Sequence, residues 1–231
     1  MEDMLEQKIT HLYVFIAPPG AGKGSLAQLC NKKMRWKQFS TGDLCRRHIA
    51  EKTQIGKEMD LLIKSGKLIP DSIIMDMAKD ELLAQHRQNE QHVVLDGFPR
   101  TFFQAQEFDF FISAHQHMFD ITVFRFYLPD EVIIQRLSNR IICSKCNTVY
   151  STVHAGLASK KESVCDHCDA QLTMREDDCP EVIKKRLATY YLHEKKLLDF
   201  YKDKDLLASE INTDQRIEKV FENFQVALDK K

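Results

Sequence analysis

The chain has 231 residues, 43% of them hydrophobic and 29% charged. That is an ordinary globular composition, with length for one sizeable core and a small insertion. Its 33 Lys and Arg nearly balance 34 Asp and Glu, for a net charge of −1; any anion site must be a local basic cluster, and a general nucleic-acid binder is disfavoured.

No apolar run approaches the ~20 residues needed to span a bilayer, and the polar, acidic start Met1–Lys8 does not read as a signal peptide. A cytoplasmic, reducing setting is expected, where cysteines serve more often as metal ligands than in disulfides. The apolar run Leu12–Ile16 predicts a buried strand. It leads into Ala17-Pro18-Pro19-Gly20-Ala21-Gly22-Lys23-Gly24-Ser25, and Leu26, Ala27, Leu29 and Cys30 then begin a helical pattern. Strand, glycine-rich loop, lysine, hydroxyl and helix is the arrangement that cradles a nucleoside triphosphate. Its glycines let backbone N–H groups turn inward, the helix N-terminus favours negative charge, and Lys23 adds a point charge on the β/γ-phosphates. Ala17 stands where the usual pattern has its first glycine, and the hydroxyl arrives one place late, as Ser25.

Ser40-Thr41-Gly42-Asp43-Leu44, followed by Arg46, reads on its own as a helix start. Ile55, Met59, Leu62 and Ile63 fall at helical spacing, ended by Gly66, and Asp71 is placed to cap a helix through Ile73, Ile74, Met77 and Leu82. The strand Val93–Leu95 runs into Asp96, where a carboxylate would hold Mg²⁺ through water. The loop Gly97-Phe98-Pro99-Arg100-Thr101, with Gln104 beyond, then lies at the carboxyl edge of the sheet, where α/β proteins bind ligands. A further strand, Ile121–Tyr127, is followed by Asp130 as a cap for Val132, Ile133 and Leu137.

From Ile141 to Met174 the rhythm breaks, and the segment is too poor in large apolar residues to form a core. It carries Cys143-Ser144-Lys145-Cys146 and Cys165-Asp166-His167-Cys168, with 18 residues between the pairs. That spacing reads as a closed tetrahedral structural site, suited to Zn²⁺ and, on donor set alone, to iron. Cys143, Cys146, Cys165 and Cys168 are the candidate ligands, with His167 a less favoured substitute. Removing the metal should loosen this segment without touching the chemistry. Cys30 reads as core; Cys45 and Cys179 read as more exposed.

Val182, Ile183, Leu187, Tyr190 and Tyr191 mark a long helix begun near Pro180, Leu207–Ile211 a last strand, and Ile217, Val220, Phe221, Phe224 and Leu228 a last helix capped by Asp214. Alternating strands and helices imply an α/β fold, a parallel sheet covered on both faces. Arg136, Arg140, Arg175 and Arg186 flank the cysteine segment and together could close on phosphate.

Taken in order, PPGAGKGS at 18–25, STGDLCR at 40–46, GKLIPD at 66–71, LDGFPRT at 95–101 with Gln104, and the arginines and cysteines of 136–186 resemble the adenylate kinases of the long-lid, zinc-containing bacterial type over nearly the whole chain. The resemblance implies a P-loop NTPase-type parallel sheet flanked by helices. The core would be 10–140 and 175–231, with an AMP-binding helical insert at about 40–69 and a zinc-stapled lid at 141–174. It implies ATP + AMP ⇌ 2 ADP, with Mg²⁺ and no protein nucleophile; the sequence itself, with no extra apolar helix face, suggests a monomer. Gly20, Ala21, Gly22, Lys23, Gly24 and Ser25 would wrap the ATP phosphates; Arg136, Arg140, Val149 and Tyr150 would clamp ATP, and Gln215 would sit against its adenine. Thr41, Arg46, Lys67, Leu68, Ile69, Gly97, Phe98, Pro99, Arg100 and Gln104 would bind AMP. Arg175 and Arg186 would bridge the substrates, Asp96 would orient the magnesium shell, and Asp177 and Asp178 would back the arginines. Ile141 stands where many relatives have a second lid arginine.

Two rivals are a UMP/CMP-type kinase and a zinc-dependent binding module with a vestigial kinase site. Thr41, Thr101 and the long lid favour AMP over the first. Retention of Lys23, Asp96, Arg100, Arg140, Arg175 and Arg186 argues against the second.

Overall fold

The computed structural model describes residues 8–64, 69–153 and 157–230. In chain order it contains β1 (Thr10–Ile16), α1 (Lys23–Met34), β2 (Lys37–Ser40), α2 (Thr41–Ala50), α3 (Gln54–Lys64), α4 (Asp71–Arg87), β3 (His92–Asp96) and α5 (Phe102–Ala114). Then follow β4 (Phe119–Tyr127), α6 (Asp130–Ser138), β5 (Arg140–Cys143), β6 (Val149–Ser151) and β7 (Leu172–Thr173). A single helical turn at Glu176–Asp178, α7 (Pro180–Asp203), β8 (Leu207–Asn212) and α8 (Ile217–Leu228) complete the chain.

Five strands form an all-parallel sheet in the order β2-β3-β1-β4-β8. Side chains alternate across it, as the period of two requires. Leu12, Val14 and Ile16 join Val93, Leu95, Ile121 and Val123 in one buried cluster, with Ile74, Leu82 and Phe108 from the helices on that face. Tyr13 and Phe15 face the other way with Val94, Phe124 and Phe126, under Leu26, Ile133, Phe221 and Phe224. Helix α7 serves both, giving Leu197, Leu198 and Tyr201 to the first cluster and Ile183 and Leu187 to the second. A separate three-stranded antiparallel sheet, β6-β5-β7, holds a small third cluster of Cys143, Tyr150, Cys165 and Leu172.

Four strands and the helices α1, α3, α4, α6, α7 and α8 lie where the periodicity predicts, while α5 (Phe102–Ala114) has no counterpart among the predicted elements. The edge strand β2 is the exception in the main sheet: Lys-Gln-Phe-Ser offers one large apolar side chain, Phe39, and no alternation to read. Three caps are corrected. Pro70, Pro129 and Arg216 precede α4, α6 and α8, none of these helices has a side-chain cap, and Asp71 and Asp130 are first helical residues. Their carboxylates are engaged elsewhere: Asp71 accepts from Thr101 Oγ1 and Gln104 Nε2, and Asp130 from the Tyr191 hydroxyl. Cys45 is a second correction; it is buried among the apolar residues of the first cluster. Gly66, Lys67 and Leu68 lie outside the described residues.

Candidate active site

Parallel pairing sets Phe15 of β1 beside Asp96 of β3, so both strands end at the same edge. The loop after β1 turns at Gly20 and Gly22, both with left-handed φ of 81° and 84°, and α1 starts at Lys23. A Cβ at Gly20 would lie 2.9 Å from Leu137 Cγ, so this turn needs glycine for space as well as for conformation. Lys23 Nζ folds back to donate to the carbonyls of Ala17 and Pro18 at 2.7 and 2.9 Å. Desolvation in the cleft lowers its pKa to about 8, against the pull of Asp96.

Asp96 closes one side of this loop. Gln38 Nε2 donates to Asp96 Oδ2 at 3.0 Å, and a Cβ at Gly24 would meet the same oxygen at 3.2 Å. The next loop is equally tied. Gly97 O accepts from Thr41 Oγ1 at 2.9 Å and Arg100 Nε at 2.7 Å. Gln104 receives the Arg100 amide on Oε1 at 2.7 Å and gives Nε2 to Asp71. Thr101 caps α5 by accepting from the Gln104 amide.

Across the cleft, Asp178 is fully enclosed and holds Arg140 through two bonds and Arg186 through a third. Asp177 pairs with Arg186 at 2.9 Å. Burial opposes its ionisation, but Arg186 and Arg175 prevail and hold its pKa below the usual value. Arg175 is lowered to about 10, first by burial and then by Arg140. The Nε atoms of Arg46 and Arg175 are buried without a hydrogen-bond partner. Arg46 is already paired with Asp43 through Nη2, so the open, buried guanidinium N–H of Arg175 is the one best suited to an anion.

These groups line one cavity of about 300 Å³. It brings together Gly20, Gly22, Lys23, Gly24 and Ser25 with Arg136, Arg140 and Val149, and with Thr41, Arg46, Ile69, Asp96, Gly97, Pro99, Arg100, Gln104, Arg175 and Arg186. Ala21 and Phe98 are buried beneath their loops rather than lining it. The Gln215 side chain is also off the cavity wall, donating to Asn212 O. Tyr150 is turned away, its hydroxyl bonded to the cysteine cluster, so only its backbone is available to a nucleotide. Sequence reasoning missed Gln38, Cys45, Thr189, Tyr190 and His193, which also line the cavity. Tyr190 had registered only as part of a helical stripe, and nothing in a one-dimensional pattern separates a cleft residue from a core one.

The four sulfurs of Cys143, Cys146, Cys165 and Cys168 lie within 4.8 Å of one another. The amides of Lys145 and Cys146 point at Cys143 Sγ, and that of His167 at Cys165 Sγ. An all-sulfur donor set on two tight turns fits a closed structural site and is compatible with zinc; His167 is outside the set.

A doubly covered parallel sheet with a phosphate loop, a facing carboxylate and converging arginines defines a phosphate-loop α/β nucleotide protein. A family model described as adenylate kinase matches residues 15–206. The chain is 37% identical to the adenylate kinase of Borrelia garinii subsp. bavariensis over 188 residues, 81% of this chain and 84% of the relative. It is 37% identical to that of Caldicellulosiruptor bescii over 194 residues, 84% and 88% of the two chains. With that of Clostridium botulinum it shares 36% over 216 residues, 93% and 97%. The chain belongs to the adenylate kinase family.

Proposed function

We propose that the protein catalyses reversible phosphoryl transfer from ATP to AMP, giving two ADP. The observation that carries this reading is the single cavity in which the phosphate loop and Lys23 face Arg100, Arg140, Arg175 and Arg186. Phosphoryl transfer asks for in-line positioning, charge stabilisation and exclusion of water, and no protein nucleophile. Lys23 and the amides of Gly20–Ser25 bind the donor phosphates, with Arg136 and Arg140 from the far side. Thr41, Arg46, Ile69, Gly97, Arg100 and Gln104 hold AMP, and Arg175 and Arg186 neutralise charge between the two nucleotides. Mg²⁺ arriving with ATP would supply charge neutralisation on the phosphates, and Asp96 would hold it through water. Roles for Ala21, Phe98, Pro99, Val149, Tyr150 and Gln215 rest on their backbone.

In this reading 10–140 and 175–231 form the core, about 40–69 the AMP insert, and 141–174 a lid in which Cys143, Cys146, Cys165 and Cys168 hold Zn²⁺. The zinc supplies cross-linking of the lid and no reaction step. Hydrolysis is the competing reaction, and a lid closing over both nucleotides suppresses it. A monomer in the cytoplasm is the matching setting: no disulfide joins any of the seven cysteines, and among the described residues no helix is long and apolar enough to cross a membrane.

The test is a coupled assay with Mg-ATP, offering AMP, UMP, CMP and GMP separately. Phosphorylation of AMP alone is expected, with Lys23→Ala and Arg100→Ala each at least about tenfold slower, as the loss of a charge-stabilising group requires. Preference for UMP or CMP would favour the pyrimidine alternative. A folded, metal-loaded protein inert with all four would mean a vestigial kinase site.

A further inference from the structure

We propose that the Tyr150 hydroxyl is an outer-sphere donor to the metal centre, and that it strengthens the hold of the four cysteines on their ion. The inference rests on the reading above that this cluster carries a metal. Tyr150 lies in β6, and its side chain is packed inside the small lid cluster with Cys143, Cys165 and Leu172. Its hydroxyl has two partners, the amide of Asp166 at 2.8 Å and the sulfur of Cys165 at 3.4 Å.

The directions of these bonds follow from chemistry. A backbone N–H can only donate, so the hydroxyl oxygen accepts from Asp166. Its one proton is then free for Cys165 Sγ, and a metal-bound thiolate has no proton to return. Cys165 is wholly buried, so no water competes for that sulfur. The sulfur also receives the His167 amide at 3.4 Å. Donors aimed at a thiolate favour it over the protonated thiol, which is the form that cannot ligate.

Tyr150 also fixes where the sulfur sits. It pairs with Ile141 on β5, the strand that carries Cys143, while its hydroxyl reaches the turn that carries Cys165. One side chain therefore spans the two ligand turns. Phenylalanine would fill the same apolar space and keep the strand, but it would leave Cys165 Sγ with one donor fewer and the Asp166 amide without its acceptor.

The experiment uses the full chain, stripped of metal and titrated with Co²⁺ as wild type and as Tyr150→Phe. Zinc affinity is then measured by competition with a chromophoric chelator. Wild type is expected to bind one Co²⁺ with the absorption of a tetrahedral thiolate site. Tyr150→Phe is expected to bind zinc about 10- to 100-fold more weakly, the usual cost of losing an outer-shell partner, and to shift the sulfur-to-cobalt charge-transfer band. Equal affinity with an identical band would overturn the inference. Failure of the wild type to bind Co²⁺ would instead overturn the metal reading, and the inference with it. If Tyr150→Phe does not fold, NMR of the cadmium-loaded wild type decides. A slowly exchanging phenolic proton coupled to the metal through Cys165 is expected; its absence, with the amide couplings to the same cysteines visible, would refute the proposal.

Discussion

The carboxylate of Asp178 is completely enclosed, and Arg140 grips it through Nε at 2.8 Å and Nη2 at 2.6 Å. Arg186 adds a third bond at 3.1 Å. One anion thus aligns an arginine at the start of β5 with one on α7. Removing a buried partner strands the charges it paired. Asp178→Ala is therefore expected to cost about 3 kcal/mol of stability, read from urea denaturation, and to lower kcat. A loss too small to resolve would show that solvent replaces this anion without penalty.

Lys23 gives a pH signature. Its pKa is lowered from 10.5 to about 8 because the charged form is desolvated. Unfolding restores the ordinary value, so between about 8 and 10.5 the unfolded chain binds more protons and this group makes folding more favourable as pH rises. Nucleotide phosphates act in the opposite direction and favour the protonated amine. Binding of Mg-ATP just above the free pKa should take up a proton, and affinity should fall as pH rises through about 8. Calorimetry in buffers of different ionisation enthalpy measures this uptake, and Lys23→Ala should abolish it. Buffer-independent enthalpies in the wild type would contradict the assignment.

Gln38 holds Asp96 by a bond of 3.0 Å and lines the same cavity. A hydrogen bond to a charged group contributes about 1.5–3 kcal/mol, so losing the bond that orients this carboxylate is worth about 10- to 150-fold. Gln38→Ala is expected to raise the Mg²⁺ concentration for half-maximal rate by about that factor, with KM for AMP little changed. An equal shift in both would point to a general loss of fold.

Gly97 has φ of 79°, and a Cβ there would stand 2.8 Å from Arg100 Nη2 and 3.3 Å from Thr41 Oγ1. The left-handed backbone costs an alanine about 1–2 kcal/mol, and the added methyl must push Arg100 from its place. Gly97→Ala is expected to raise KM for AMP about tenfold, as the loss of roughly 1.4 kcal/mol of binding would, and to leave KM for ATP near normal. Steady-state kinetics with each nucleotide varied in turn separates the two.

Much of this site was legible in one dimension because its parts are local. The phosphate loop, the strand ending at Asp96 and the two cysteine pairs each need their residues at fixed offsets, so spacing alone reveals them. The unaided pattern of strands and helices gave the doubly covered parallel sheet. The helix caps were misread because an Asp before an apolar run looks the same whether it caps or reaches elsewhere. Asp71 serves Thr101 and Gln104, 30 and 33 residues away in sequence. Cys45 looked exposed because its burial comes from joining a cluster, which also holds Met59, Ile74 and Phe98, that is built mostly by other elements.

By itself, then, the sequence determined what is set within a few residues: the loop that turns toward phosphate, the alternation that fills both faces of the sheet, and the spacing of four thiols. The tertiary structure alone decided which charges meet. Asp178 and Arg140 are 38 residues apart, Gln38 and Asp96 58. Tyr150 reaches the cysteine cluster only because β6 folds against the second cysteine turn. Such pairings depend on strand order and chain crossing, which no local spacing records.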